Sequence, residues 1–266
     1  MPTRTAWRWS ALLRATTLLA LAVVALRTEA AAQCKDDGPD ESETVSKALA
    51  FPDGGRLELK SFSGSVTIRG TARNDVAIKA VRRAPRERLE RVTLSMESSS
   101  SGVRIEANKH NDDCKNNNVV ETHFEIEMPL EGGIDVSVFS SPVTVADVAG
   151  DVRVRSFSSA IKLSGVSAPV HAKAFSGTLD VSLADATTAP ELMLETFSGD
   201  VTVHVPASAQ AGVEFNSFSG DLESDLPLVL RKRSGRRLEA SLNTSDDTSL
   251  SNHIKVKTFS GDVALK

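Results

Sequence analysis

The chain has 266 residues, 40% of them hydrophobic and 25% charged, an ordinary globular balance that excludes wholesale disorder. A net charge of −4 excludes a bulk electrostatic grip on nucleic acid. Both tryptophans, Trp7 and Trp9, lie near the start and tyrosine is absent, so the core must come from Val, Leu, Ile, Ala and ten Phe.

The first segment reads as an export signal. Arg4, Arg8 and Arg14 make it basic, Ala15 to Leu26 is an apolar run of 12 residues, and Ala30, Ala31 and Ala32 follow. The run is shorter than the roughly 20 apolar residues that span a bilayer. Cleavage after Ala32 is expected, with an uncleaved anchor as the alternative. Removing residues 1–32 takes away four Arg and one Glu, and the net charge moves from −4 to −7. Residues 33–44 then form an acidic arm expected to be mobile, and 45–266 a single domain. No later apolar stretch reaches spanning length, so no transmembrane segment is expected after cleavage.

Cysteine usage agrees with export. Cys34 and Cys114 are the only two, and in an oxidising compartment they most simply form one disulfide. Its loop of about 80 residues would be worth roughly 4 kcal/mol in the chain-entropy model. Cys34 also stands where a bacterial lipoprotein carries its lipid, although Gln33 is larger and more polar than the usual preceding residue. A bridge, a lipid and free thiols remain alternatives that mass spectrometry separates.

A repeat runs through the rest. The tetrad x-Phe-Ser-Gly/Ser occurs seven times, with Phe62, Phe139, Phe157, Phe175, Phe197, Phe218 and Phe259. From Phe139 the gaps are 18, 18, 22, 21 and 41, the last close to two periods, with Leu238–Leu242 expected to supply the missing turn. A period near 20 is the mark of a solenoid. Apolar residues alternate on both sides of each tetrad but in opposite phase: Leu192 and Leu194 precede Phe197, and Val201, Val203 and Val205 follow it. A one-residue slip sends later side chains to the other face, so the chain must bend there to keep both faces inward. The tetrad is therefore a corner, with Phe expected inside the bend and Ser and Gly allowing the turn. The predicted fold is all-β: a parallel β-solenoid, β-helix-like, with roughly 18–22 residues per coil. The rival is an antiparallel sandwich. One short helix is expected at 85–92, irregular first coils over 45–133 and a regular array over 134–266.

The elements GGRLELKSFSGSVTIRG (54–70), VRVRSFSSAIKL (152–163), FSGDVTVHVPASA (197–209), SFSGDLESDLPL (217–228) and KVKTFSGDVALK (257–266) carry a resemblance. The chain resembles, over residues 45–266, a bacterial family of β-strand-repeat domains of unknown function described as adhesins. That resemblance implies a β-helix-like fold. It carries over no catalytic or binding residue. Ser141 and Ser159 replace the corner Gly in two copies, and Asp follows Gly in only three (Asp200, Asp221, Asp262).

Chemistry is sparse. The three Asp could stack along one edge and hold a cation, but Asp beside Gly is ordinary turn chemistry. The five His show no ligand spacing and no Ser sits in a nucleophile elbow, so no catalytic residue, metal or cofactor is expected. Two basic clusters stand out: Arg82, Arg83, Arg86, Arg88 and Arg91; and Arg231, Lys232, Arg233, Arg236 and Arg237. Either could hold an anionic envelope polymer, or be plain solvated charge. The expected function is an exported, non-catalytic envelope protein that presents a rod-like surface for adhesion or assembly. Its partner would be an envelope or extracellular protein or polysaccharide, not nucleic acid. Its location would be periplasmic, cell-surface or secreted. The alternatives are a polysaccharide-active β-helix enzyme and a sensory envelope domain. The last copy, Phe259 to Leu265, runs to the end without an evident cap, which leaves end-to-end self-association open.

Overall fold

The computed structural model describes residues 38–109, 118–184, 189–244 and 253–266. The segment 1–32, Cys34 and Cys114 lie outside the described residues. The chain opens with β1 (Asp40–Ala50), β2 (Arg56–Thr71), β3 (Asp75–Pro85), a six-residue helix α1 (Arg86–Arg91), β4 (Thr93–Ser99), β5 (Gly102–Lys109) and β6 (Glu121–Pro129). Paired strands follow: β7 (Gly133–Ser140) and β8 (Val143–Ala146), β9 (Val152–Ser156) and β10 (Ile161–Val166), β11 (Val170–Ser176) and β12 (Leu179–Leu183), β13 (Leu192–Ser198) and β14 (Val201–His204). Then come β15 (Ala211–Ser219), β16 (Leu222–Ser224), β17 (Leu228–Ser234), β18 (Arg237–Leu242), β19 (His253–Ser260) and β20 (Val263–Leu265).

The fold is nearly all-β and mostly parallel. The strands before each corner make one face, in the order β4-β5-β2-β7-β9-β11-β13-β19-β15-β18-β17. Those after it make the second, β1-β3-β6-β2-β8-β10-β12-β14-β20-β16. The long strand β2 continues through a corner and belongs to both. Register is strict: Val152 pairs with Val170, Val170 with Leu192, and Leu192 with Ile254. Each rung therefore repeats the inward set of its neighbour, and Val, Leu and Ile from both faces fill one continuous core. At about 1.5–3 kcal/mol per fully buried side chain, that core dominates the favourable side of folding.

Chain order and spatial order differ at both ends. The last coil, β19 and β20, lies between β13/β14 and β15/β16, not at an exposed end. Likewise β2 lies between β5/β6 and β7/β8. This corrects the expectation that the copy at Phe259 leaves an open terminus. The segment Leu238–Leu242 does not fill a missing coil either. It belongs to the antiparallel hairpin β17–β18, which covers β15 and closes the first face. The other end is closed by antiparallel β4 on β5 and by β1 and β3 on β6. Residues Asp40–Thr44, expected in a mobile arm, open β1 and pair with Val81–Pro85.

Arg82 explains why β1 and α1 sit where they do. Its guanidinium is buried, meets the Glu43 carboxylate at 2.6 Å, and donates to the carbonyl oxygens of Val92 and Leu89. One charge thus ties β1, β3 and the helix exit together, whereas the sequence reading allowed it to be plain solvated charge. Beside it Ala84, Val92 and Val120 form a small second core with Leu89.

Candidate binding surface

The corner geometry follows from alternation. In β13 Leu192, Leu194 and Thr196 point inward, while Phe197, Ser198 and Asp200 are exposed and Val201 is the next inward residue. Inward positions 196 and 201 are an odd number of residues apart, so the phase flips across the bend. Gly199 absorbs it with φ of +145°, and a Cβ there would lie 2.2 Å from the carbonyl oxygen of Gly177 one rung away.

The residue before each Phe, not the Phe itself, fills the inside of the bend. Ser61, Val138, Ser156, Ala174, Thr196, Ser217 and Thr258 are buried. The seven Phe point outward and are 42–51% exposed, which corrects the expectation that they line the interior. Adjacent rungs bring two backbones close at the corner, and only a small side chain fits between them.

Pointing outward, the rings form one ladder. Its order is Phe62, Phe139, Phe157, Phe175, Phe197, Phe259, Phe218, with centroids 4.6–5.0 Å apart and planes within 10° of parallel. The spacing is that of β-strands, imposed by the backbone. Faces cover faces, so solvent meets ring edges. At the Phe218 end the Arg236 guanidinium lies 3.5 Å from the ring centroid and covers the last face.

The flanks of the ladder are columns too. On the first face, two residues before each Phe, the order is Lys60, Ser137, Arg155, Lys173, Glu195, Lys257, Asn216. Lys173 and Lys257 both reach Glu195, at 3.2 and 3.6 Å, and Arg155 reaches Asp135 at 3.1 Å. Burial pushes the Glu195 carboxyl up, but its bonds and charge contacts with Lys173 and Lys257 outweigh that and hold it below the usual carboxylate range. Lys60, Arg155 and Lys173 rim an open groove of about 520 Å³ floored by Val138, Phe139 and Phe157.

On the second face the flank reads Ser65, Pro142, Ala160, Thr178, Asp200, Asp262, Asp221. The Asp262 backbone N–H donates to Asp200 Oδ1 and the Asp221 N–H to Asp262 Oδ1, each at 3.0 Å. The carboxylates accept from the next rung's turn, which is how they tolerate each other's charge. Among the described residues no group of three or more His, Cys, Asp or Glu is placed to hold a metal ion. The ridge is thus bipolar. Its first four rungs carry Lys60, Arg155 and Lys173, and its last three carry the Asp column.

The second basic cluster is split by the hairpin. Arg236 stacks on Phe218, Arg237 pairs with Glu214 and Glu239 at 3.1 and 3.0 Å, and Arg231 Nε donates to Ser241 Oγ at 2.9 Å. Lys232 and Arg233 stay exposed on the outer strand β17, beside exposed Val229 and Leu230. Sequence reasoning missed the role of Arg236 because nothing in its spacing relates it to Phe218. The outward Phe leave only a weak signal: the residue before each one is small and in phase with the strand it ends, while the Phe itself is in phase with the strand that follows.

With the corner ladder in place, comparison with known proteins is direct. A family profile described as Toastrack DUF4097 matches residues 52–266. The chain belongs to the Toastrack DUF4097 family. The match spans the ladder from first ring to last and both antiparallel closures apart from β1. Among curated proteins none matches this chain. Of solved structures, a putative cell adhesion protein from Clostridium sporogenes is similar at 13% identity and a TM-score of 0.52, covering 85% of this chain and 99% of that one. A putative adhesin from Bacteroides fragilis is similar at 9% identity and a TM-score of 0.39, covering 84% and 97%. The first likeness is one of fold; the second is too loose to add to it. Among the described residues no helix is long and apolar enough to cross a membrane.

Proposed function

We propose that this Toastrack chain is a non-catalytic binding and structural protein of the bacterial envelope, adhesin-like, with the Phe ladder as its contact surface. The observation that carries the reading is the ladder itself. Seven side chains of about 150–250 Å² each, 42–51% exposed, leave roughly 600 Å² of contiguous apolar surface. That is the upper end of what an ordinary monomer shows, and such patches mark contact sites. A solenoid with 18–22 residues per coil suits the role because it repeats one surface feature along a rigid axis.

The ladder disfavours a sugar-processing platform. Stacking against a sugar ring needs an open aromatic face, and here neighbouring rings cover both faces from Phe139 to Phe259 and Arg236 covers the outer face of Phe218. Export by residues 1–32 and a Cys34–Cys114 bridge complete the reading. The mass of the mature protein, with and without reduction, checks both.

The test is attachment. The mature protein should bind isolated envelope fractions, and Phe157→Ser with Phe175→Ser should reduce capture about tenfold or more, as loss of interface anchors does. Incubation with cell-wall and pectin-like polysaccharides should release no new reducing ends or unsaturated products. Product formation, or capture indifferent to the ring substitutions, would overturn the reading.

A further inference from the structure

We propose that the occupant of the ladder is the ladder of a second copy of this chain, laid antiparallel across it. The inference rests on the reading of the ladder as a contact surface and names the partner. Three observations carry it.

The first is area. Roughly 600 Å² of ring surface per copy gives about 1,200 Å² in a dimer, the threshold of a stable interface before the flanks are counted. The second is period. Both ladders repeat at 4.6–5.0 Å because both are built on strand spacing, so the ring edges of one meet those of the other rung for rung along the whole length. A partner without that repeat would match only a few rungs.

The third is charge, which also selects the direction. A two-fold axis through Phe175 sets Phe62 opposite Phe218, Phe139 opposite Phe259, and Phe157 opposite Phe197. Arg155 of each copy then lies opposite Glu195 of the other, twice per dimer. Asp200, Asp262 and Asp221 lie opposite Ala160, Pro142 and Ser65, none of them charged. Lys173 meets its own counterpart at the axis, where each Lys173 is already held by its own Glu195 at 3.2 Å. The parallel alternative sets one flank against the other at equal rungs, where the match of Lys257 with Asp262 in each half is offset by Glu195 against Asp200, leaving no net gain. An isologous pair of this kind is closed, so it stops at two copies. It leaves the outer faces of both rods free, which makes the unit bivalent toward an envelope surface.

Sedimentation velocity on the mature protein tests this. The wild type should be a dimer at micromolar concentration, and Phe157→Ser with Phe175→Ser a monomer with an unchanged circular dichroism spectrum. Arg155→Glu alone and Glu195→Arg alone should each be monomeric, because each homodimer faces like charges. Mixed in equal amounts they should dimerise about tenfold more tightly than either alone, since both contacts are then complementary. This charge exchange leaves the rings untouched, so it decides the matter even if the ring variant unfolds. A monomeric wild type would overturn the inference, as would a wild-type dimer whose exchanged pair fails to recombine. A monomer that binds phosphatidylglycerol vesicles through the rings would also overturn it. If the wild type is monomeric but ring variants lose envelope capture, the proposed function stands and only the second-copy assignment falls. A recombining dimer that never attaches to envelope fractions has the reverse meaning.

Discussion

The middle of the rod and its two ends are built on different terms. From β7 to β14 each rung copies its neighbour in parallel, with one register shift between Ser164 and Val166, and its ion pairs, Arg155 with Asp135 and Lys173 with Glu195, lie outside the hydrophobic column. At three of the four sheet edges the strands turn antiparallel, β16 staying parallel to β20, and single cations tie separate elements together: Arg82 under β1 and α1, Arg236 on Phe218. A repeating interior can propagate from any rung, but it cannot end itself, because its last rung exposes apolar side chains and unpaired backbone. A buried cation and a ring-covering cation stand where repetition stops.

The largest effect should come from breaking the middle. Leu194→Ala removes a fully buried side chain from one rung and should cost about 2–5 kcal/mol in denaturant unfolding, with the cavity felt by the rungs on either side. At the β1 end, Arg82→Ala should cost about 1.5–3 kcal/mol, since Glu43 loses its partner and two carbonyl oxygens lose their donor. Hydrogen exchange should then quicken in β1 while β9 to β14 stay protected, a contrast that would vanish if the ends and the middle unfold as one unit. At the other end, Arg236→Ala should cost only about 0.5–1 kcal/mol, because the cation over Phe218 lies at the surface.

The smallest expected effect is one of pH. The Glu195 carboxyl is held below its ordinary value of 4.5, so it binds protons less readily folded than unfolded. Its contribution to stability is therefore present above about pH 4.5 and is lost as pH falls through the lower folded value. Asp75, depressed by its hydrogen bond to Arg73, acts in the same direction at the β3 end. The melting temperature of the wild type minus that of Glu195→Gln, measured from pH 7 to pH 3, should shrink toward zero on acidification. A constant difference would remove Lys173 and Lys257 as the cause.

Much of the middle was legible because it is local. The all-β class and the phase flip at each tetrad need only the alternation of Leu192, Leu194, Val201 and Val203. The ends were not legible. Nothing in the residues around Phe259 says that its rung slides between those of Phe197 and Phe218, since insertion depends on which backbone edges remain free after the earlier coils have paired. Likewise Leu238–Leu242 has the alternation of a coil strand, yet it runs antiparallel along the free edge of β15 as one arm of a hairpin with β17.

By itself, the order of residues determined that the chain turns at seven equivalent corners, because apolar alternation and its slips are properties of neighbours along the chain. Tertiary structure decided which way each phenyl ring faces. The inward positions across a corner are five residues apart, so alternation lets Phe belong to either strand. The close approach of stacked backbones leaves inner room only for the Ser, Thr, Ala or Val beside it. The rings are thereby turned outward, and residues whose phase fits a core stand exposed along one ridge.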